Sequence, residues 1–475
     1  MKKDFGTLPY SSIKIGDKFL VISNFGQWCS LSESELQDLK RHDVKKGSAL
    51  FGKLKDNGLI IDKENVINVI NDYKNLNRFL LQGPSLHIVV PTLRCNHECV
   101  YCHAKTPGKK NVDMNEKTAI KVLDFVFKTE CPAVTIEFQG GEPLLNWKVL
   151  SFIVKEARML NEKYEKKDLR ITLVTNLTLM NEKKLDFLVK NNVSICTSLD
   201  GPENVHNMNR KYLGGGSTYK DVVKWIKRIS EEYKKRGSDM KLYALSTITR
   251  FSLPYWKEIV DEYVKWDFDV IHLKFLNQLG AAIRNWDKIS YSPQEFIDFW
   301  KKSIDYIINL NWKGVSISER VATVMLTKII EKKDPGFTEL MSPCGAGRTQ
   351  LMYNYNGDIY TCDEGRMLDN NMFKLGNVNK DEYKSIIRSD GLISICYASV
   401  LNNYCECPYR PYCGTCPVMN YVEQGSVIPK ITDTMRCKIY KSQFTYLFNR
   451  ILENSEDLRI FKRWLNEREN KTKAP

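Results

Sequence analysis

Ten of the chain's 14 cysteines fall into two clumps. Cys95, Cys99 and Cys102 stand together, and Cys344, Cys362, Cys405, Cys407, Cys413, Cys416 and Cys437 crowd the last third. Cys29, Cys131, Cys196 and Cys396 are scattered through largely apolar stretches and read as small core residues. A chain of 475 residues needs no disulfides to fold, and clustered thiols in a reducing compartment read as ligands for zinc or iron–sulfur. The run Cys95-x3-Cys99-x2-Cys102 offers three thiolates and leaves one metal position open. Structural zinc is normally closed by four ligands, here requiring His97 or His103 as the fourth; a [4Fe–4S] cluster with one unique iron suits an open position better.

Three further patterns carry potential chemistry. Gln139-Gly140-Gly141-Glu142-Pro143 combines two glycines, which let backbone approach a ligand closely, with a carboxylate able to hold an ammonium group. Thr175-Asn176 and Ser198-Leu199-Asp200-Gly201-Pro202 follow two later apolar runs, and His206-x2-Asn209-Arg210 comes next. Arg210 can offer a planar fork to a carboxylate. Cys413-Gly414-Thr415-Cys416 imitates a thiol–disulfide pair, but no βαβ pattern follows it.

These loops need elements to hold them. Leu86 to Val90, Ala133 to Phe138, Arg170 to Val174, Val193 to Leu199, Lys241 to Ile248 and Val270 to Phe275 read as strands. Between them, Glu116 to Lys128, Trp147 to Asn161, Asn181 to Lys190, Tyr219 to Lys235 and Trp256 to Lys265 read as helices. That alternation predicts a parallel sheet, either an open (β/α)6 barrel or a doubly wound sheet, with the motifs at strand C-termini where ligands sit. Residues 293–340 read as a helical bridge, with helices over Pro293 to Leu310 and Ser318 to Lys332. Residues 1–80 form a small module of another kind. Strands at Lys18 to Ser23 and Gln27 to Leu31 precede a helix capped by Ser32 or Ser34; a second helix over Ser48 to Asn57 stops at Gly58, and Leu59-Ile60-Ile61 returns. This is a winged-helix-like pattern. After Pro335-Gly336 the elements are short and ligation supplies the cross-links, and Ser442 to Glu469 reads as a charged terminal helix.

Composition bounds the rest. Hydrophobic residues make up 43% and charged residues 27%, which excludes a wholly disordered chain. A net charge of +14 favours an anionic partner. No apolar run reaches the roughly 18 residues of a membrane span, so no membrane association is expected. Met1-Lys2-Lys3-Asp4-Phe5-Gly6 has no apolar h-region, so no signal peptide is expected and the cytoplasm is the expected location.

The C-x3-C-x2-C run, with Tyr101 before its last cysteine and Gly140-Gly141-Glu142-Pro143 one strand later, resembles the radical S-adenosylmethionine (SAM) enzymes. The resemblance implies a partial TIM-like barrel over residues 81–292 and a SAM-binding [4Fe–4S] cluster on Cys95, Cys99 and Cys102. It also implies SAM contacts from Tyr101, Gly140, Gly141, Glu142, Asn176, Ser198 and Arg210. Residues 341–440, followed by a C-terminal helix over 441–475, resemble the SPASM extension of peptide-modifying members. Cys344-x12-Gly357-x4-Cys362 matches closely, whereas Cys405-x-Cys407-x5-Cys413-x2-Cys416 is one residue short in two gaps. Carried over, Cys344, Cys362 and Cys416 hold an inner auxiliary [4Fe–4S] cluster, and Cys405, Cys407, Cys413 and Cys437 an outer one. Gln350 stands where some relatives carry a further cysteine, which leaves the inner cluster an open iron. Asp363 matches a base of sulfatase-maturing relatives. Gln139 to Leu145, Thr197 to Pro202 and Tyr353 to Asp358 look most like maturases of His-Xaa-Ser peptide systems.

Three clusters and SAM then imply reductive cleavage of SAM to a 5′-deoxyadenosyl radical, which abstracts hydrogen from a ribosomally made precursor peptide. The barrel mouth holds the radical, and the C-terminal domain covers it. The outcome expected is an oxidative modification, first a thioether-type cross-link, with formylglycine formation as the alternative. The partners implied are the precursor peptide, its leader clamped as an added strand by the N-terminal module, and a flavodoxin- or ferredoxin-like electron donor. A zinc-ribbon nucleic-acid-binding protein is the competing class, but it has no use for the Gly-Gly-Glu-Pro loop, and nucleic acid is not an expected partner. An iron–sulfur electron carrier without SAM chemistry is the other.

Overall fold

The computed structural model describes residues 5–102, 111–368, 370–401 and 406–473; His103 and Cys405 lie outside them. Six parallel strands, Leu86–Val89, Ala133–Phe138, Asp168–Val174, Val193–Ser198, Tyr243–Thr247 and Leu273–Lys274, pair in chain order. Strictly sequential pairing is barrel order; a doubly wound sheet would reverse direction at a switch point. Helices Glu116–Phe127, Trp147–Leu160, Glu182–Lys190, Tyr219–Lys235 and Trp256–Lys265 form the crossovers, each burying an apolar stripe on the sheet. The expected sixth strand breaks at His272. Val270–Ile271 pairs with Ser318–Glu319, and Leu273–Lys274 with the fifth barrel strand.

The barrel does not close on itself. Its first strand pairs in parallel with Gln350–Tyr353, which continues antiparallel into Asp358–Tyr360 and Lys374–Asn377, giving one nine-stranded sheet. Gly357, at φ +85°, makes the turn between the first two of these added strands. Register fixes which end is which. Thr349 O accepts from the N–H groups of Ser85 and Leu86, at the N-terminal end of the first barrel strand. Cys344 and Cys362 flank the hairpin at that end, whereas the Cys95 loop leaves the other. The expected cover over the barrel mouth is therefore placed differently: the C-terminal cysteines approach from the opposite end of the first strand.

The N-terminal residues form a meander of Tyr10–Ile15, Lys18–Ser23 and Trp28–Leu31, followed by helices Glu33–Lys40, Ala49–Asp56 and Val66–Asn77. Ser32 and Glu35 make a reciprocal capping box, and Ser48 caps the second helix. Ile60–Ile61 returns not onto the hairpin but onto Gly6–Thr7. The central strand serves two cores, as a period of two allows. Val21 packs inside the module with Leu31, Leu36, Leu54 and Ile60, while Leu20 and Ile22 face the main core. Trp28 Nε1 donates to Ile329 O (2.9 Å) and Tyr412 Oη donates to Gly26 O (2.8 Å), tying the module to the rest. The terminal segment is two helices, Met435–Glu453 and Ser455–Lys473, because Asn454 Oδ1 accepts the N–H groups of Glu456 and Asp457 and starts a new helix. Among the described residues no helix is long and apolar enough to cross a membrane.

Glu319 is fully buried at the start of helix Arg320–Ile330, accepting from Ala322 N (2.7 Å) and Leu273 N (3.3 Å). Burial pushes its pKa up to about 7 despite these bonds. Between its unfolded value near 4.3 and this raised value, the folded chain holds a proton that the unfolded chain has released, so stability falls as pH rises through that window. Relative to Glu319→Gln, the wild type should lose on the order of 3 kcal/mol between pH 5 and pH 8. Denaturant titrations of both proteins at the two pH values measure this, and parallel pH dependences would refute it.

Candidate functional site

The loop carrying Cys95, Cys99 and Cys102 is held by backbone from the segment around the end of helix Glu203–Asn209 and from the start of helix Ala281–Ile289. Glu98 N donates to Lys211 O (2.7 Å), Val100 N to Asn209 O (2.9 Å), Leu213 N to Asn96 O (2.8 Å) and Ala281 N to Cys102 O (2.8 Å). On its other flank, Thr92 and Arg94 both bond Asp113. Burial pushes the Cys95 thiol up to about 11 and that of Cys99 up to about 12, and the neighbouring thiols add to the rise. Such thiols stay protonated until a cationic centre displaces their protons, as iron ligation does. His97 does not turn to them: its Nε2 lies 3.0 Å from Thr178 Oγ1, and its ring stands edge-on to Tyr212.

The two glycines line the cavity beside these thiols, but the tightest approach they permit is to the cysteine loop itself. A Cβ on Gly141 would stand 2.0 Å from Arg94 O, and one on Gly140 2.6 Å from Thr92 O. Gly141 N donates to Thr92 O (3.0 Å) and Glu142 N to Arg94 O (2.7 Å), so one loop is seated directly on the other. The Glu142 carboxylate is 1% exposed and accepts from Leu144 N (3.0 Å), Thr175 Oγ1 (2.7 Å) and Asn176 N (2.8 Å). It thereby fixes the end of the third barrel strand while still lining the cavity.

Asn176 donates through Nδ2 to Asn96 Oδ1 (2.9 Å), a second link to the cysteine loop. Arg210 Nη1 donates to Tyr101 Oη (2.7 Å), which donates to Asp200 Oδ2 (2.7 Å); Asp200 Oδ1 accepts from Thr247 N (3.2 Å). Arg210 Nε is buried with no partner among the described residues, a donor left for a ligand. Sequence reading noticed Asp200 only as part of a turn motif; the structure makes it the support of both Tyr101 and Arg210. His206 points away, its Nδ1 accepting from Asp200 N.

One cavity of about 540 Å³ joins this site to the C-terminal cysteines. Cys99, Cys102, Gly140, Gly141, Asn176, Ser198 and Arg210 line one part, and Cys344, Cys362, Asp363 and Cys416 another. The last three thiols repel one another's charged forms, and burial raises all of them. Asp363 opens a short helix whose N-cap is Cys362, with Arg366 Nη2 3.4 Å from its Oδ1. One cysteine expected in the core, Cys196, lines the cavity instead, and a second, Cys396, is only partly buried. Cys196 lines the barrel interior, and Cys396 lies close enough to Cys344 to act on its thiol. The Cys396 helix, Asp390–Leu401, faces Cys344 through Ser399, whose Oγ accepts from Cys344 N (2.9 Å). Cys407, Cys413 and Cys437 do not line the cavity. Their loop packs through Tyr409 and Tyr412 on Phe444 and Phe448 of the helix that begins beside Cys437.

Among the described residues no group of three or more His, Cys, Asp or Glu side chains is drawn together tightly enough for a single metal ion. The donor set fits larger groups: Cys99 and Cys102 in the cavity wall with Cys95 behind them on the same loop, an unpartnered Arg210 nitrogen near them, and Cys344, Cys362 and Cys416 in another part of the wall.

Residues 89–243 match the family model of the radical SAM superfamily, and residues 344–417 that of the SPASM iron–sulfur cluster-binding domain. A cysteine-type anaerobic sulfatase-maturating enzyme of Clostridium perfringens is 26% identical over 390 residues, covering 79% of this chain and 99% of that protein. The radical SAM cyclopropyl synthase TigE of Paramaledivibacter caminithermalis is 22% identical over 463 residues, covering 92% and 87%. In structure, Streptococcus suis SuiB bound to the precursor peptide SuiA superimposes with a TM-score of 0.55 at 15% identity, covering 89% of this chain and 98% of SuiB. The chain therefore belongs to the radical SAM superfamily, with SAM and a [4Fe–4S] cluster as its cofactors and a SPASM-type iron–sulfur domain toward its C-terminus.

Proposed function

We propose that the protein modifies a ribosomally made precursor peptide oxidatively, and the observation that carries this reading is the single cavity joining the Cys99 and Arg210 region to Cys344, Cys362 and Cys416. In this reading Cys95, Cys99 and Cys102 hold the SAM-binding cluster. Tyr101, Gly140, Gly141, Glu142, Asn176, Ser198 and Arg210 surround SAM; Cys344, Cys362 and Cys416 hold an inner auxiliary cluster, and Cys405, Cys407, Cys413 and Cys437 an outer one. When bound, these groups supply the one-electron chemistry: reductive cleavage of SAM, removal of an unactivated hydrogen, and an acceptor for the second electron. The chain itself positions and shields. Arg210 Nε is the donor left for the SAM carboxylate, held in place by Tyr101 and Asp200. Barrel walls of Ile88, Val174 and Leu245 keep water from the reacting centre.

The bond made first in this reading is a thioether-type cross-link. Formylglycine formation is the second reading, favoured by Asp363 in the cavity wall and by the sulfatase-maturating relative. There the Asp363 carboxylate accepts the proton from the substrate Ser or Cys. Residues 1–80 bind the leader. Helix Val66–Asn77 supports this by leaving Ile67 62%, Ile70 43% and Tyr73 47% exposed. The TigE and SuiB matches, covering 92% and 89% of the chain against 79% for the sulfatase-maturating enzyme, support it further. A flavodoxin or ferredoxin in the cytoplasm is the proposed electron donor.

Changing Cys99 to Ala should abolish 5′-deoxyadenosine formation and lower iron from about 12 to about 8 per chain after anaerobic reconstitution, by the cluster type assigned. Unchanged iron, or persistent SAM cleavage, would place the site elsewhere. The double variant Ile67→Glu/Ile70→Glu should weaken binding of the leader segment of the precursor peptide by about tenfold or more. SAM cleavage without peptide should be unaffected. Equal peptide affinity by fluorescence anisotropy would remove the helix from the leader site.

A further inference from the structure

Arg320 stands at the first position of helix Arg320–Ile330, directly after the short strand paired beside Val270–Ile271, and lines the barrel cavity. Among the described residues no hydrogen bond or ion pair holds its guanidinium; its contact is the Phe337 ring, 6.0 Å from Cζ. The charged groups around it are committed elsewhere. Adjacent Glu319 accepts from Leu273 N and Ala322 N. Glu339 pairs with Arg436 (3.1 Å) and Lys274 (3.5 Å). Glu137 accepts from Thr172 Oγ1 (3.2 Å) and from Gln139. Cys196 and Tyr243 also face Arg320; burial keeps the thiol protonated, and the phenol, whose pKa is raised, is a neutral group as well. His272, which lines the same stretch, is held neutral by burial, with its pKa lowered to about 3. Burial likewise pulls the Arg320 pKa below its ordinary value. A half-buried guanidinium in a cavity wall with neither counterion nor hydrogen bond is left unsatisfied, and a bidentate carboxylate is the partner its fork fits best.

We propose that Arg320 anchors a carboxylate subsite inside the barrel cavity, taking either an acidic side chain or the C-terminal carboxylate of the substrate. The subsite rests on the reading of the substrate as a peptide only for the source of that carboxylate. It is distinct from the SAM region, where Arg210 is the cation beside Cys99 and Tyr101.

Ligand-observed NMR titration of the full-length protein tests this with three probes: N-acetylaspartate N-methylamide, N-acetylglycine, and the neutral N-acetylasparagine N-methylamide. At least one carboxylate should bind about tenfold more tightly than the neutral amide. Arg320→Gln should abolish that preference, while Arg320→Lys, which keeps the charge without the fork, should retain part of it. Preference for the aspartate probe assigns an acidic residue of the substrate; preference for acetylglycine assigns its C-terminus. Equal binding of all three, or a preference that survives Arg320→Gln, overturns the subsite. So does a loss of SAM affinity in Arg320→Gln larger than the loss of carboxylate affinity. Because no precursor peptide is used, failure of the leader-binding experiment and failure of this one are read separately.

Discussion

Three thiols on a loop without regular structure must be held together beside one cavity that two of them line, and the interaction that makes this work is backbone seated on backbone. Gly140 and Gly141 have no Cβ, so their loop lies against the carbonyls of Thr92 and Arg94 and donates into them. The segment after the fourth strand closes the opposite flank through Asn209 and Lys211. The first clamp comes directly from a strand end and the second from beyond the short helix Glu203–Asn209 that follows the fourth strand, so the barrel's connections set the loop's shape. Glu142 then ties the same assembly to the third strand by spending its carboxylate on Thr175 and Asn176. The residues that look like ligand-binders in the sequence are therefore also the masonry of the site.

That double use explains what could be read from the sequence. Five of the barrel strands are closely legible, because short β-branched and apolar runs that bury every second residue, set between helical stretches, have a plain signature. Cys95-x3-Cys99-x2-Cys102 and Gly140-Gly141-Glu142 were legible since their spacing is local. What stayed hidden depends on distant partners. Nothing in Val270 to Phe275 says that His272 will divide the run between two neighbours. Gln350 to Tyr353 gives no sign of pairing beside a strand more than 250 residues earlier, whose Leu86 it faces. The strand Tyr10–Ile15 was missed because paired serines and a lysine dilute its alternation. Helix Val66–Asn77 was missed because its apolar residues do not make one buried face. Cys196 reads as a core residue for a related reason: an apolar context describes a cavity wall as well as it describes a packed interior.

The charge inside the barrel follows the same logic. Most ionised groups there are matched within the chain, Glu339 by Arg436 and Lys274, Asp363 by Arg366. Tyr101, Asp200 and Arg210 form a linear chain whose last member keeps one nitrogen unspent. Arg320 differs by lacking a hydrogen bond or ion pair among the described residues. Chemistry that generates reactive species benefits from walls whose polar groups are already satisfied, since an unsatisfied wall admits water.

The hairpin Gln350–Tyr353 and Asp358–Tyr360 is hydrogen-bonded to the first barrel strand rather than joined to it by a hinge. That strand is four residues long, and at about 3.3 Å per residue its two ends stand roughly a dozen ångströms apart. A sheet that cannot slide without breaking its ladder therefore keeps the added hairpin in one register with the barrel, whatever guest occupies the cavity.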